Sequence, residues 1–128
     1  MSTITDTACA LADVYYSGHM SLRMKPLDAW ELIKTGMVEV VDVRGVEEWA
    51  AGHLPGARAL PLERLRENPA GLLPRKGVIF VCAAGVRSET AARVAEQHGI
   101  TEVYSLTGGT QSWARAGLPL ASELSVAV

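Results

Sequence analysis

The sequence predicts a three-layer α/β domain, with a parallel sheet covered by helices on both faces. Three observations predict it. Segments of strand character alternate with segments of helical spacing along most of the chain. Two strand segments, Met37 to Val43 and Val78 to Cys82, are nearly continuous in their apolar and β-branched character, which marks strands buried on both faces. Glycine and proline sit at the joints between segments.

The elements follow in order. Ser21 to Met24 reads as a short edge strand. Pro26 suits the first turn of a helix, where its missing N–H costs nothing. Leu27, Trp30, Leu32 and Ile33 continue that helix at roughly helical spacing, and Gly36 closes it. The strand Met37 to Val43 comes next, then a short helix from Val46 to Ala51 ended by Gly52. His53-Leu54-Pro55-Gly56 is a turn, Ala57 to Leu60 a short strand, and Leu62 to Glu67 a helical turn stopped by Asn68-Pro69. Gly77 leads into the strand Val78 to Cys82. Ala83-Ala84-Gly85-Val86-Arg87 is a loop of small residues. Ser88 to His98 is a helix with Ser88 as N-cap and Gly99 as C-cap. Glu102 to Leu106 is the last strand. Gly108-Gly109 breaks it, and Thr110 to Ala116 is the last helix, stopped by Gly117-Leu118-Pro119.

The chain has 128 residues, one domain's worth. The expected organisation is an N-terminal tail over 1–18, partly mobile, a domain over 19–122, and a C-terminal tail over 123–128. Ala8 to Tyr16 has the pattern of a short helix within the first tail. Apolar residues at 48% and charged residues at 20% exclude intrinsic disorder. The net charge of −2 gives no basic excess for nucleic acid or an anionic membrane. No apolar run approaches the ~20 residues that span a bilayer. The first twelve residues carry Asp6 and no Lys or Arg, unlike the basic n-region of a signal peptide, so a cytoplasmic protein is expected. Three dispersed histidines and the two cysteines, Cys9 and Cys82, have no metal-ligand spacing, so no metal or other cofactor is expected.

The chemistry concentrates at Cys82 to Ser88. Ligands of open α/β sheets bind beyond the carboxyl ends of the strands. Here a buried strand delivers Cys82 to that end. Ala83, Ala84 and Gly85 are small enough for the backbone to curl, and a helix begins directly after. Successive N–H groups then converge on one point, and the helix N-terminus adds partial positive charge. Such a site stabilises an anion and favours the thiolate form of a cysteine. Cys82 is therefore the candidate nucleophile. Arg87 adds a guanidinium suited to an oxyanion. The competing reading makes Cys82 a small buried hydrophobe at a strand end. Phosphate-binding glycine fingerprints are absent from the loop.

The ordered set Asp42-Val43-Arg44, Glu48-Trp49, Gly52-His53-Leu54-Pro55-Gly56-Ala57, Pro61-Leu62, Cys82-Ala83-Ala84-Gly85-Val86-Arg87-Ser88, Gly108-Gly109 with Trp113, and Gly117-Leu118-Pro119 resembles the single-domain rhodanese-like sulfurtransferases. The resemblance runs from about Ser21 to Leu120. It implies a five-stranded parallel sheet flanked by helices. It also implies that Cys82 takes up a sulfane sulfur as a persulfide and passes it on. Thiosulfate or a related persulfide would be the donor, and a thiol, cyanide or a protein the acceptor. Ala83, Ala84, Gly85, Val86 and Arg87 would then bind substrate. Phosphatase relatives of this fold resemble it with one more residue between Cys and Arg. The Cys-x4-Arg spacing here suits sulfur rather than a phosphoryl group. The alternatives are a non-catalytic rhodanese-like module that binds partners, or a dedicated sulfur carrier. Retention of Cys82 puts the enzyme first.

Other residues weigh as structure. Asp42 and Arg44 form an internal charge pair near the site, since buried charges need partners. Ser88 caps the helix. His53 is a hydrogen-bonded turn residue, and Trp30, Trp49 and Trp113 pack against the sheet. Gly108 and Gly109 let the backbone pass close to the active loop. Glu47, Glu48, Arg64, Arg66, Arg75, Lys76, Arg93 and Arg115 read as solvated surface. Cys9 reads as a free thiol without a role.

Overall fold

A computed structural model describes residues 22–122. The expected tails, the helix at Ala8 to Tyr16 and Cys9 lie outside the described residues. Five strands are described: β1 (Leu22–Met24), β2 (Glu39–Asp42), β3 (Arg58–Ala59), β4 (Lys76–Val81) and β5 (Thr101–Leu106). They pair in the order β1-β5-β4-β2-β3, every pair parallel. Six helices connect them: α1 (Pro26–Lys34), α2 (Val46–Ala51), α3 (Leu62–Glu67), α4 (Pro69–Leu72), α5 (Val86–Gln97) and α6 (Gly109–Arg115). The three-layer α/β/α architecture expected from the sequence is the one observed.

The two-residue period of the strands explains the layers. Val40, Ile79, Val81, Tyr104 and Leu106 face one side, where Ala29 and Leu32 of α1 and Trp113 of α6 close over them. Val41, Val78, Phe80 and Val103 face the other side with Cys82, under Leu65 of α3 and Ala91, Ala92 and Ala95 of α5. Three alanines on one face let α5 lie close to the sheet. Trp30 meets Trp113 edge-to-face, with centroids 5.7 Å apart.

Three boundaries differ from expectation for identifiable reasons. Pro69 does not merely stop α3. It takes the first position of α4, and Asn68 Oδ1 caps it by accepting from the Gly71 N–H at 3.1 Å. Helix α5 begins at Val86 rather than Ser88, because Gly85 is the N-cap residue in a left-handed conformation with φ of 105°. Ser88 is thus inside the first turn and buried, and it is not the N-cap. At the other end Gly99 lies one residue past the cap, His98.

The connectivity places the site. From β2 the chain steps outward to β3, returns to the central strand β4, then steps the other way to β5. This reversal of direction opens a crevice at the carboxyl end of β4. Cys82 is the first residue past that end.

Candidate active site

Cys82 continues the alternation of Val78 and Phe80 and so turns its side chain under the start of α5. The residue is 1% exposed. The loop after it curls back over the sulfur. The Gly85 N–H donates to Cys82 Sγ at 3.0 Å and the Ser88 N–H at 3.4 Å. Ser88 Oγ lies 3.5 Å from the same sulfur. Burial pushes the thiol pKa up. The hydrogen bonds from the Ser88 hydroxyl and from the Ser88, Gly85 and Ala84 N–H groups outweigh it, and the thiol is held below its ordinary value. The cradle is what the small residues permit. Gly85 faces Gly108 so closely that a Cβ there would lie 3.2 Å from the Gly108 nitrogen.

The second glycine pair fixes the outer wall of the loop. Helix α6 starts against the loop backbone, with the Thr110 N–H donating to the Cys82 carbonyl at 2.8 Å and the Gln111 N–H to the Ala83 carbonyl at 3.2 Å. A Cβ on Gly109 would overlap the Cys82 carbonyl oxygen, and the φ of 60° also favours glycine. Gly109 is therefore a contact residue of the loop.

The remaining candidates fall into distinct places. Arg44 and Asp42 form a buried bidentate pair, with Nε 3.0 Å from Oδ1 and Nη2 2.8 Å from Oδ2. Arg44 Nη2 also donates to the Gly52 carbonyl at 2.6 Å. The pair thus ties the end of β2 to the end of α2. His53 is buried, with Nδ1 2.8 Å from the Trp49 carbonyl and its ring stacked on Trp49. Ala83 and Ala84 lend backbone to the loop, while Val86 is 73% exposed at its lip.

Arg87 is not a free cation. Its Nη1 and Nη2 lie 3.1 and 3.3 Å from Glu48 Oε1 and Oε2. Its partner is Glu48 and not Glu89, two residues further along the same helix. Glu89 instead accepts from Arg23 Nε at 2.7 Å. Glu48, read from the sequence as solvated surface, is the contact that binds α2 to the active loop. It also accepts from the Gly45 N–H at 3.1 Å. The Arg87 guanidinium holds its carboxyl below the usual range.

Sequence reasoning missed two residues. One is Glu48, in the first turn of α2 beside the equally charged Glu47. The other is Ser105 of β5. It is 1% exposed, and its hydroxyl lies 2.7 Å from Ser88 Oγ. A lone polar residue inside the run Val103-Tyr104-Ser105-Leu106 marks the position but not what its hydroxyl meets. Ser88 itself does more than hold structure, since both its N–H and its hydroxyl meet the sulfur.

Known proteins share the fold that holds the Cys82 loop. The sequence model of the Rhodanese-like domain matches residues 25–116. The chain belongs to the rhodanese-like family. YqhL of Bacillus subtilis, an uncharacterized protein, is 37% identical over 75 residues, which cover 59% of this chain and 60% of that protein. The thiosulfate sulfurtransferase GlpE of Coxiella burnetii is 32% identical over 94 residues, 73% of this chain and 88% of that one. Among solved structures, a rhodanese-related protein from Thermoplasma volcanium superposes with a TM-score of 0.70 at 31% identity, covering 80% of this chain and 98% of that one. Among the described residues of this rhodanese-like chain, no helix is long and apolar enough to cross a membrane.

Proposed function

We propose that this rhodanese-like protein is a sulfurtransferase in which Cys82 carries the sulfur. The observation that carries the reading is the set of donors around one buried sulfur: the N–H groups of Gly85 and Ser88 and the Ser88 hydroxyl. These groups favour the thiolate, so no general base is needed to start the reaction. The thiolate attacks the outer sulfur of thiosulfate. A sulfur–sulfur bond forms at Cys82, the one in the donor breaks, and sulfite leaves with its electron pair. The Cys82 persulfide carries one negative charge on its terminal sulfur, which the same N–H groups and the loop backbone hold. Cyanide or a thiolate then attacks that sulfur, and the Cys82 thiolate is regenerated. A hydropersulfide on a thiol can replace thiosulfate, with a thiolate leaving in place of sulfite.

The name of the GlpE relatives supports thiosulfate as donor. The pairing of Arg87 with Glu48 favours donors of lower charge. Both belong to one reaction class, and in either case the loop Ala83 to Arg87 would bind the donor. Intact mass after incubation with thiosulfate tests the proposal. The expected result is a gain of one sulfur atom, reversed by cyanide or a reductant, and lost in Cys82→Ser. A Cys82→Ser protein that still forms thiocyanate, while folded, refutes the assignment of Cys82. A wild-type protein that takes up sulfur from neither thiosulfate nor a hydropersulfide points instead to a partner-binding module.

A further inference from the structure

Ser105 lies outside the active loop, yet the sheet register brings it to the sulfur. It pairs with Phe80 across β4 and β5, and Cys82 follows Phe80 by two residues on the same face. The resulting row is Ser105 Oγ, Ser88 Oγ, Cys82 Sγ, with spacings of 2.7 and 3.5 Å. All three residues are at most 1% exposed. Ser88 Oγ also lies 3.1 Å from the Gly85 carbonyl.

Counting protons gives the row a direction. Each hydroxyl has one proton to donate and two lone pairs. Ser88 Oγ is the partner that the described residues give the Ser105 hydroxyl, so the Ser105 proton goes there. The Ser88 proton is then left for the Gly85 carbonyl or the sulfur. With Cys82 as a thiol, the S–H points at Ser88 Oγ and the Ser88 proton goes to Gly85. With Cys82 as a thiolate, the Ser88 proton turns to the sulfur. Accepting a hydrogen bond from Ser105 makes Ser88 the stronger donor, because neighbouring hydrogen bonds polarise one another.

We infer that Ser105 is a positioning residue: through Ser88 it favours the thiolate form of Cys82. The inference rests on Cys82 being the reacting sulfur. The charged groups around the site are already committed. Asp42 is paired with Arg44 on the β2 side, Arg87 with Glu48 across α5 and α2, and Glu89 with Arg23 across α5 and β1. None of them changes when the Ser105 hydroxyl is removed, so a shift in Cys82 reports the hydroxyl row.

The test is the rate of Cys82 alkylation by iodoacetamide against pH, which requires no sulfur transfer. Ser105→Ala is expected to raise the midpoint by about half a pH unit, the share that one cooperative neighbour adds to a charge-assisted hydrogen bond. Ser105→Thr keeps the hydroxyl and is expected to restore the wild-type midpoint. Ser105 is among the residues that line a pocket of about 180 Å³. Ser105→Val, nearly the same shape as threonine without the hydroxyl, repeats the comparison should Ser105→Ala not fold. A midpoint within about 0.1 pH unit of wild type in the folded variant lacking the hydroxyl overturns the inference. So does an equal shift in Ser105→Thr, which indicates packing alone. Failure of the sulfur-transfer proposal would appear instead as no persulfide on wild-type Cys82, with the alkylation midpoints unaffected.

Discussion

Glu48→Gln should make this protein a better user of thiosulfate. A free arginine beside the sulfur would hold a thiosulfate oxyanion by a charge-assisted hydrogen bond of about 1.5–3 kcal/mol, or roughly 10- to 150-fold in binding. The structure lowers that figure, because both Arg87 Nη nitrogens face the Glu48 carboxylate and its charge opposes the donor's. Two unit charges about 4 Å apart interact by about 1 kcal/mol in water and about 4 kcal/mol at the effective dielectric of a protein surface. The two side chains are 40% and 45% exposed, which puts the effect near the lower value. Removing the negative charge should then lower the KM for thiosulfate about fivefold. Glutamine keeps an oxygen for the Gly45 N–H, so the start of α2 is retained. The assay is persulfide formation at varied thiosulfate, with a hydropersulfide on an uncharged carrier as reference. The gain should shrink as salt is added, since exposed charges are screened. Arg87→Ala should shift KM the other way, by a similar factor. A Glu48→Gln protein with unchanged KM, or with equal changes for both donors, refutes the reasoning. Acid should imitate the substitution. The pair contributes fully above the ordinary carboxylate pKa and is lost as pH falls through the lowered value of Glu48.

Four further outcomes follow from the geometry. Alkylation of wild-type Cys82 should show a midpoint below about 8.5, the free-thiol value, because the donor groups outweigh burial; a midpoint at or above it removes the cradle. The native thiolate then contributes stability above the unfolded thiol pKa that is lost as pH falls through the lowered folded value, a dependence absent from Cys82→Ser in urea titrations. Gly109→Ala should cost at least about 2–3 kcal/mol and slow persulfide formation, since its Cβ meets the Cys82 carbonyl and its φ is positive; a denaturation midpoint equal to wild type would contradict the packing. Asp42→Ala leaves Arg44 buried without its partner and should cost about 3–5 kcal/mol in the same titration, whereas Glu89→Ala, which frees the exposed Arg23, should cost less than about 1 kcal/mol.

What the sequence could and could not reveal follows from the range over which each feature is decided. Strand β4 was legible because Val78 to Val81 are buried on both faces, and an unbroken apolar run records that locally. The Cys82 loop was legible for the same reason: small residues, a strand end and a helix start are neighbours in the chain. The start of α5 was misplaced because serine is a common cap, while the actual start depends on Gly85 reaching a left-handed conformation against Gly108, which is remote in sequence. Glu48 and Ser105 needed information the local pattern does not hold. Glu48 meets Arg87 across 39 positions, and nothing on a charged helix face distinguishes it from Glu47 until α2 is set beside α5. Ser105 needed the strand order, since only the neighbouring of β4 and β5 puts its hydroxyl on the row that leads to Cys82. The two missed residues share a property. Each touches a residue of the Cys82 loop or of the helix start behind it, Arg87 or Ser88, that the sequence did expose. Residues that meet the reacting atom through their own backbone must be close in the chain, so a motif can hold them. Those that tune it from behind are placed by the fold, and in this protein they come from the two strand-end neighbourhoods that flank β4.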